Sequence, residues 1–553
     1  MVVLQFTIFY SLIYFLGRGI AEIINTVNRS DINFKQLEIF GIKFNFFYPI
    51  IALFFIGNFL TLINFFTGVN SWWINFIFII ILLFNFKRIS RFKFSLEGFI
   101  NYFVVPALFS VSTFNIGIHS DSHLYHFNYQ NWIRSEKLAL GLTNISGRFG
   151  YSSIYDYISS VFWIEGNAAY FHFLNLTFFV IFFNFLLINL FNKRKGLLFF
   201  SSYFILGYGL LDNFGFGGGR NGFLYIEGIG KQDIAFAVIF FITSILIITS
   251  IIKKEISDME ILIASMLVLF SSQLRLLGTT TLILFLFCFF RLLNYRELKI
   301  IKILTHFKIL ILLGPLWVLK NILITGCAIY PVSEKLCFTQ LSWYRPDSAR
   351  YEAEVIADAF YGLTTEKNLK AWFDHWTASQ LNNNIARNFL LSCFILIIIR
   401  AVFLRNKLKV NKLDAIFIFS YLGLNFYPWI NSGPSTRFAI GFLILFIALI
   451  GIGDFEYRFQ NTVLQFIESK KIILFVMLLC IFLIPKLSMY KTFVESPNYF
   501  PIIDSPVVKT VPNPNGWGLV PEFGDECNIN LNCIPYPVGV RLEINSYGYK
   551  VFK

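Results

Sequence analysis

Long apolar runs alternate with polar connections along almost the whole chain. Fourteen of these runs are long enough, or nearly so, to cross a bilayer as helices. They lie at 2–17, 45–66, 71–86, 98–117, 168–192, 197–211, 234–252, 260–273, 276–293, 309–325, 387–404, 413–430, 437–452 and 471–485. The pattern predicts an all-α polytopic membrane protein, with a bundle of about 12–14 transmembrane helices.

Composition supports this class. The chain is 56% hydrophobic and only 14% charged, which is far from a soluble globular profile. Its net charge of +14 does not indicate nucleic acid, because many Lys and Arg residues lie in short alternate connections such as 87–95, 193–195 and 400–412. The positive-inside rule places these connections in the cytoplasm. The basic excess therefore predicts topology and contact with anionic membrane lipids, with no nucleic-acid partner.

The other connections are then expected in the periplasm of a bacterial inner (cytoplasmic) membrane. They include the long loops 118–167, 212–233 and 326–386, and the region after residue 485. We therefore divide the chain into a polytopic transmembrane domain, 1–485, and a small C-terminal extramembrane region, 486–553.

Four cysteines lie on this outer side. Cys327 and Cys337 share one loop, and Cys527 and Cys533 share the C-terminal region, so the oxidising compartment predicts two disulfides. Zinc binding by Cys527 and Cys533 is weaker, because no histidine is nearby. Alternating residues in 538–544 predict a small strand pair pinned by the second disulfide, acting as a lid or docking element.

The first outer loop contains Ser120-Asp-Ser-His-Leu-Tyr-His126, which carries one carboxylate and two imidazoles. Asp121 and Gly141 are suitable start and stop signals for a helix between them. Asp121 then has two open interpretations: a helix cap, or a base or metal ligand assisted by His126. His123 is expected to be exposed.

Other polar residues at the ends of apolar runs have equally open roles. Arg148 lies in a glycine-rich turn that suits an anionic or sugar group, although an ordinary loop fits as well. Lys231 and Asp233 suit a phosphate and a hydroxyl nucleophile, or form a local ion pair or cap. Arg437 suits a lipid phosphate, or is an interfacial arginine. For Arg275 and Lys320-Asn321, snorkelling is the simplest explanation.

A resemblance rests on several of these stretches together. They are 121–126, 141–153, Lys320-Asn321 with 326–331, Trp343, and Pro434-Ser-Thr-Arg-Phe438. The chain resembles a bacterial family of largely uncharacterised multi-pass membrane proteins, which is similar in overall plan to GT-C glycosyltransferases that use polyprenyl-linked sugars. The chain departs from the GT-C plan in having three or four spans before the acidic loop, and in lacking an adjacent acid pair at Asp121.

The resemblance implies an integral-membrane glycosyltransferase. It would transfer a sugar from a polyprenyl-phosphate-linked donor to an envelope glycan or lipid acceptor on the periplasmic side. Asp121, His126 and Asp233 are the catalytic candidates, and Asp121 with His126 would hold a divalent metal, Mg²⁺ or Mn²⁺. The substrate-binding candidates are Tyr125, Arg148, Lys231, Asn321, Trp343 and Arg437.

Two other classes remain open. One is a lipid-linked oligosaccharide or small-molecule transporter or flippase, which would need a central polar pathway and usually an internal repeat. The other is a non-catalytic envelope assembly protein, which would scatter its polar residues over the outer face. A convergent outward-facing site distinguishes the transferase from both.

Overall fold

The apolar runs form helices in a computed structural model of the chain. The structure describes residues 1–27, 34, 37–84, 96–164, 167–192, 196–212, 228–292, 307–331, 334–347, 350–352, 354, 369–407, 410–431, 435–458, 487–503 and 508–553. Helical segments occupy the first thirteen predicted runs, and the run 471–485 lies outside the described residues. Within the described part, seven helices are long and apolar enough to cross a membrane, and five apolar helices are shorter.

The helices of the bundle are numbered in chain order. They are α1 Val2–Val27, α2 Tyr48–Asn64, α3 Trp72–Phe84, α4 Leu96–Phe99, α5 Val105–Ser110, α6 Phe127–Ser135, α7 Ile154–Ser160, α8 Tyr170–Phe191, α9 Leu197–Asp212, α10 Asp233–Lys253, α11 Asp258–Leu274, α12 Thr280–Leu292, α13 Lys308–Thr325, α14 Leu369–Ala378, α15 Gln380–Phe403, α16 Lys412–Asn431, α17 Thr436–Gly451 and α18 Leu487–Glu495.

Within the described residues, ten short strands form five two-stranded sheets. They are β1 Glu38–Ile39, β2 Ile42–Lys43, β3 Gly117–Ile118, β4 Gly228–Ile229, β5 Leu404–Asn406, β6 Phe455–Tyr457, β7 Thr510–Pro512, β8 Leu519–Pro521, β9 Leu542–Ile544 and β10 Lys550–Phe552. The pair β3–β4 is parallel, and the other four pairs are antiparallel.

Helix α10 is the centre of the bundle. It packs against α8, α11, α12 and α17, and its whole apolar stretch is buried. A helix that is apolar on every side is expected in such a position, because no face of it needs water. Asp233 at its first position is therefore brought to one end of the packed core.

Several predicted boundaries were wrong. Helix α1 continues through Val27, beyond the predicted end at residue 17, so Arg18 lies inside the helix and is buried. The run 98–117 is not one regular helix, because a π-helical turn at Ile100–Val104 separates α4 from α5, and a 3₁₀ turn at Val111–Asn115 follows.

The helix expected from Asp121 to Gly141 is shorter than predicted. A π-helical turn, Ser122–His126, leads directly into α6, and the chain becomes extended at Glu136. Gly141 is indeed left-handed, with φ of 67°, but it opens a 3₁₀ turn at Leu142–Asn144 instead of ending the helix. The Asp121 side chain makes no capping hydrogen bond.

The C-terminal region packs over this loop. Asn528 bonds His123, Asn128 donates to the Asn530 carbonyl, and Asn131 donates to the Ile529 carbonyl. His123 is consequently part-buried, against the expectation of free exposure. Further along, Phe552 and Leu140 bond through their backbones. The region therefore packs on the loop, and its role as a lid or docking element stays a prediction.

Both predicted disulfides, Cys327–Cys337 and Cys527–Cys533, are formed. The second does not pin the predicted strand pair. That pair is β9–β10, whereas the Cys527–Cys533 loop lies beside β8, where Leu519 donates to Asn532 and accepts from Ile534 through the backbone. The disulfide thus braces the turn that contacts residues 123–131.

Candidate functional site

Two short strands join the two loops that carry the candidate site. Gly117 and Ile118 of β3 pair in parallel with Gly228 and Ile229 of β4. Ser122 adds a hydrogen bond from its hydroxyl to the Ile229 carbonyl, at 2.7 Å. The segment that follows β3 is thereby held beside the segment that follows β4.

Gly230 makes this close approach possible. Its φ is +92°, a backbone conformation that residues other than glycine rarely adopt. A Cβ at this position would also lie 2.5 Å from the Ser122 hydroxyl oxygen. The turn at Gly230 therefore depends on glycine, and it directs the next residue, Lys231, toward the Asp121 loop.

Asp121 forms an ion pair with Arg437 at the start of α17. Arg437 Nη2 lies 2.9 Å from Asp121 Oδ2. His119 joins them, because its Nδ1 accepts the Asp121 backbone N–H at 3.1 Å and its Nε2 lies 3.4 Å from Arg437 Nη1. Asp121 and Arg437 were both predicted from sequence, whereas His119 was missed although it lies two residues before Asp121.

A second ion-paired group lies at the end of α10. Lys231 Nζ is 3.3 Å from Asp233 Oδ2, and Arg275 Nη2 is 3.1 Å from Asp233 Oδ1. Arg275 follows the last residue of α11, and from sequence it was interpreted as a snorkelling arginine. The structure instead pairs it with a carboxylate that was itself a candidate.

Arg275 and Arg437 share one aromatic ring. Their guanidinium carbons lie 3.8 Å and 4.7 Å from the centre of the Phe438 ring, respectively. The two ion-paired groups are therefore neighbours in one cluster of His119, Asp121, Lys231, Asp233, Arg275 and Arg437. We call these six residues the charged cluster.

The charged cluster has a buried end and a more open end. The Lys231 and Asp233 side chains are only 3% and 4% exposed. Asp121 and Arg437 retain 22% and 18% exposure. Arg275 is as exposed as Arg437, at 18%, so a ligand from the surrounding medium would meet Asp121, Arg437 and Arg275 before Lys231 and Asp233.

The environment shifts the pKa values of the loop residues strongly. Burial raises the pKa of the Asp121 carboxyl, but Arg437 and then the other neighbouring positive groups lower it to about 2. Burial, followed by Lys231, lowers the pKa of His119 to about 4. Burial lowers the pKa of Lys231 to about 7, against the opposing effect of Asp233. At neutral pH Asp121 is a carboxylate, His119 is neutral, and Lys231 is close to its titration point.

His126 is held by a different carboxylate. Its Nδ1 lies 3.0 Å from Oδ1 of Asp156, a buried residue of α7 that sequence reasoning missed. The His126 ring also packs on Tyr125, with ring centres 4.1 Å apart. The sequence does mark Asp156, because Ser153-x-x-Asp156 is a capping-box pattern. That pattern indicates only the start of a helix and not a contact with His126.

The remaining substrate-binding candidates lie in other contacts. Arg148 pairs with Glu352 at 3.8 Å and lies 6.0 Å from the centre of the Tyr125 ring, so it borders the site through that tyrosine. The Trp343 indole donates to the Ile322 carbonyl, which is a packing contact. Asn321 lies in α13, where its carbonyl accepts from Thr325, and the described contacts do not connect its side chain to the charged cluster.

The donors present fit a divalent metal poorly. Asp121 is paired with Arg437, and His126 with Asp156. Among the described residues, no group of three or more His, Cys, Asp or Glu side chains is placed to share an ion. Metal binding by Asp121 and His126 stays a prediction, and we derive no step from it.

Fold and site together define a class, a helical membrane protein with a charged cluster at one end of its bundle. In the part of the chain that the structure describes, seven apolar helices fit a multi-pass membrane protein, and this protein concentrates three cations and two carboxylates at one end of its central helix. The chain belongs to the family described as a domain of unknown function, DUF8201, whose sequence model matches residues 1–444. That range contains the whole charged cluster. No curated protein and no solved structure matches the chain.

Proposed function

We propose that the chain is an integral-membrane glycosyltransferase of the GT-C plan, with about 12–14 spans. It would transfer a sugar from a polyprenyl-phosphate-linked donor to an envelope glycan or lipid acceptor on the periplasmic side of a bacterial inner membrane. The observation that carries the proposal is the ion pair of Asp121 with Arg437 inside the charged cluster. This ion pair joins Asp121, the candidate base, to Arg437, the candidate phosphate-binding residue.

The charge balance supports an anionic ligand. Arg437, Arg275 and protonated Lys231 outnumber the two carboxylates, Asp121 and Asp233, by one positive charge. A phosphate at the open end would compensate that surplus, and a guanidinium such as Arg437 can bind two phosphate oxygens at once. Positive charge placed beforehand near the leaving phosphate also stabilises the negative charge that develops during transfer.

Donor binding would free the acid. A phosphate bound to Arg437 competes with Asp121 for the same guanidinium, so the pKa of the carboxyl would rise toward its usual range. Asp121 and His126 would then orient the acceptor hydroxyl, and one of these two residues would accept its proton. The acceptor oxygen bonds to the anomeric carbon as the bond from that carbon to the phosphate oxygen breaks. The electron pair leaves with polyprenyl phosphate, and the configuration inverts.

Binding separates phosphate recognition from attraction to the lipid tail. We would compare polyprenyl phosphate with the uncharged polyprenol of equal length, each added to the purified protein in nanodiscs. The phosphate should bind and the alcohol should not. Arg437→Gln should weaken phosphate binding by about tenfold or more, because a charge-assisted hydrogen bond contributes about 1.5–3 kcal/mol. Lys491→Gln, which removes an exposed cation of α18, is the matched control and should bind normally.

Turnover then tests the chemistry. With a panel of polyprenyl-phosphate hexoses and envelope glycan acceptors, the wild-type protein should release polyprenyl phosphate, and Asp121→Asn should bind donor but not turn it over. Equal binding of the alcohol and the phosphate would contradict the proposal. Movement of intact donor across the bilayer without bond cleavage would instead support the transporter alternative.

A further inference from the structure

The His126–Asp156 pair is one of the most enclosed polar contacts near the charged cluster. The two side chains are 3% and 1% exposed, and His126 Nδ1 lies 3.0 Å from Asp156 Oδ1. Histidine can face a carboxylate in this way only with a proton on Nδ1. In the neutral ring that leaves Nε2 as the nitrogen with a free lone pair.

Three donors fix the carboxylate itself. Asp156 Oδ2 accepts the Ser153 backbone N–H at 3.1 Å, and Oδ1 accepts Gln130 Nε2 at 3.3 Å in addition to the His126 contact. Gln130 is in turn held by the Trp163 indole, which donates to its Oε1 at 3.1 Å. The amide of Gln130 is therefore oriented with its NH₂ group toward Asp156. This arrangement leaves the carboxylate no freedom to turn away from the imidazole.

The pair also lies next to the candidate site. His126 ends the π-helical turn that begins directly after Asp121, and its ring packs on Tyr125. Arg148 approaches the ring of that same tyrosine. A carboxylate locked to an imidazole beside a second carboxylate is the arrangement that divides orientation and proton transfer between two groups.

We propose that Asp156 is a positioning residue that holds His126 with Nε2 free to accept the proton of the acceptor hydroxyl, while Asp121 orients that hydroxyl. The proposal rests on the transferase function. The proton passes from the hydroxyl to His126 Nε2 as the oxygen bonds to the anomeric carbon, and Asp156 stabilises the resulting imidazolium.

The tautomer of His126 tests the pair without any assay of transfer. The six histidines of the full-length protein would be labelled with ¹⁵N, and the His126 signals assigned by their loss in His126→Gln. The wild-type ring should carry its proton on Nδ1. In Asp156→Asn the new amide NH₂ can donate to Nδ1, so the proton should move to Nε2. A wild-type ring protonated on Nε2 would overturn the proposal.

Two controls separate this effect from general disturbance. His172 is buried elsewhere, with Nε2 2.7 Å from the Ser112 hydroxyl, and its signals should not change in Asp156→Asn. Ser153→Ala removes the capping hydroxyl of α7 but keeps the backbone N–H that bonds Asp156. It should lower stability by about 1 kcal/mol and leave the His126 tautomer unchanged.

Kinetics then tests the role. In Asp156→Asn, kcat should fall roughly 10²- to 10⁴-fold while KM for the polyprenyl donor stays within about twofold, as expected for loss of a positioned base. A changed tautomer with unchanged kcat would overturn the role of Asp156. If the wild-type protein transfers no sugar at all, the function fails and the catalytic role falls with it, while the tautomer result still decides whether the pair exists.

Discussion

Lys231 is the residue in which burial and charge oppose each other most directly. Its ammonium is almost fully enclosed, and burial favours the neutral amine. Asp233 favours the charged form, and the balance places the pKa of Lys231 at about 7. The charge that the cluster offers to an anion therefore changes within the physiological pH range.

We expect the affinity for polyprenyl phosphate to fall as pH rises through about 7. Below that pH the free protein already carries the Lys231 charge, and above it the charge must be acquired on binding, at a cost of up to about tenfold in affinity per pH unit. Lys231→Arg keeps the charge at all these pH values and is the matched control. The pH dependence of affinity in Lys231→Arg contains only the titration of the lipid phosphate, so subtracting it from the wild-type curve isolates the effect of Lys231. If the wild type and Lys231→Arg showed the same pH dependence, the assigned pKa would be contradicted.

At the same scale, the sequence marked residues whose charge was unusual for its place, and their catalytic role stays a prediction. Asp121, Lys231, Asp233 and Arg437 interrupt apolar surroundings, and the structure brings all four together. Arg275 was interpreted as snorkelling, because the end of a span suits any arginine. Its role follows only from its contact with Asp233, which depends on the packing of α11 against α10.

Helices were predictable because hydropathy is a property of the local sequence. Their ends were less so, as α6 shows: it stops at Ser135, before the glycine that looked like its terminator. The pairing of helices was not predictable either. Asn58 of α2 and Gln273 of α11 exchange two hydrogen bonds, at 3.2 Å and 2.8 Å, in the interior of the bundle. Nothing near either residue in the sequence indicates the other.

The Asn58–Gln273 contact should stabilise the packing of α2 against α11. Asn58→Leu leaves the Gln273 amide buried without its partner, and we expect a loss of about 1 kcal/mol in the free energy of unfolding. The double variant, Asn58→Leu with Gln273→Leu, should recover most of the lost free energy of unfolding. Thermal unfolding in detergent measures both.

Asn189→Leu is the matched control for this pair, since Asn189 is a buried helix residue whose amide bonds its own helix at Phe185. It should cost less than Asn58→Leu. Additive losses in the double variant would show that the two amides do not interact.

The whole molecule has two ends with different character. One end holds the charged cluster and the C-terminal region. The turn between α10 and α11 belongs to the basic connections, which are predicted to lie at the other end. The sequence predicts this polarity from its basic loops, but not that the C-terminal region contacts residues 123–144, because contacts between distant segments leave no local signal. The predicted orientation places the charged cluster in the periplasm.

Labelling of single cysteines in intact cells tests that orientation. In a background with Cys288, Cys393 and Cys480 changed to Ala, Tyr547→Cys should react with a membrane-impermeant maleimide. Glu255→Cys, in the α10–α11 turn, should react only after the membrane is permeabilised. Both side chains are exposed, so access to water does not favour either. The reverse labelling pattern would place the charged cluster on the cytoplasmic side.

The contacts of the C-terminal region also impose an order on biosynthesis. His123 meets Asn528, and Asn144 meets Phe552, across 405 and 408 positions of the chain. A ribosome adds about 5–20 residues per second, so the early loop exists for roughly 20–80 seconds before its partner emerges. During that interval the early loop has been synthesised but lacks its contacts with the C-terminal region. Synthesis of the C-terminal region, more than insertion of the early helices, would set the moment at which this loop acquires its final contacts.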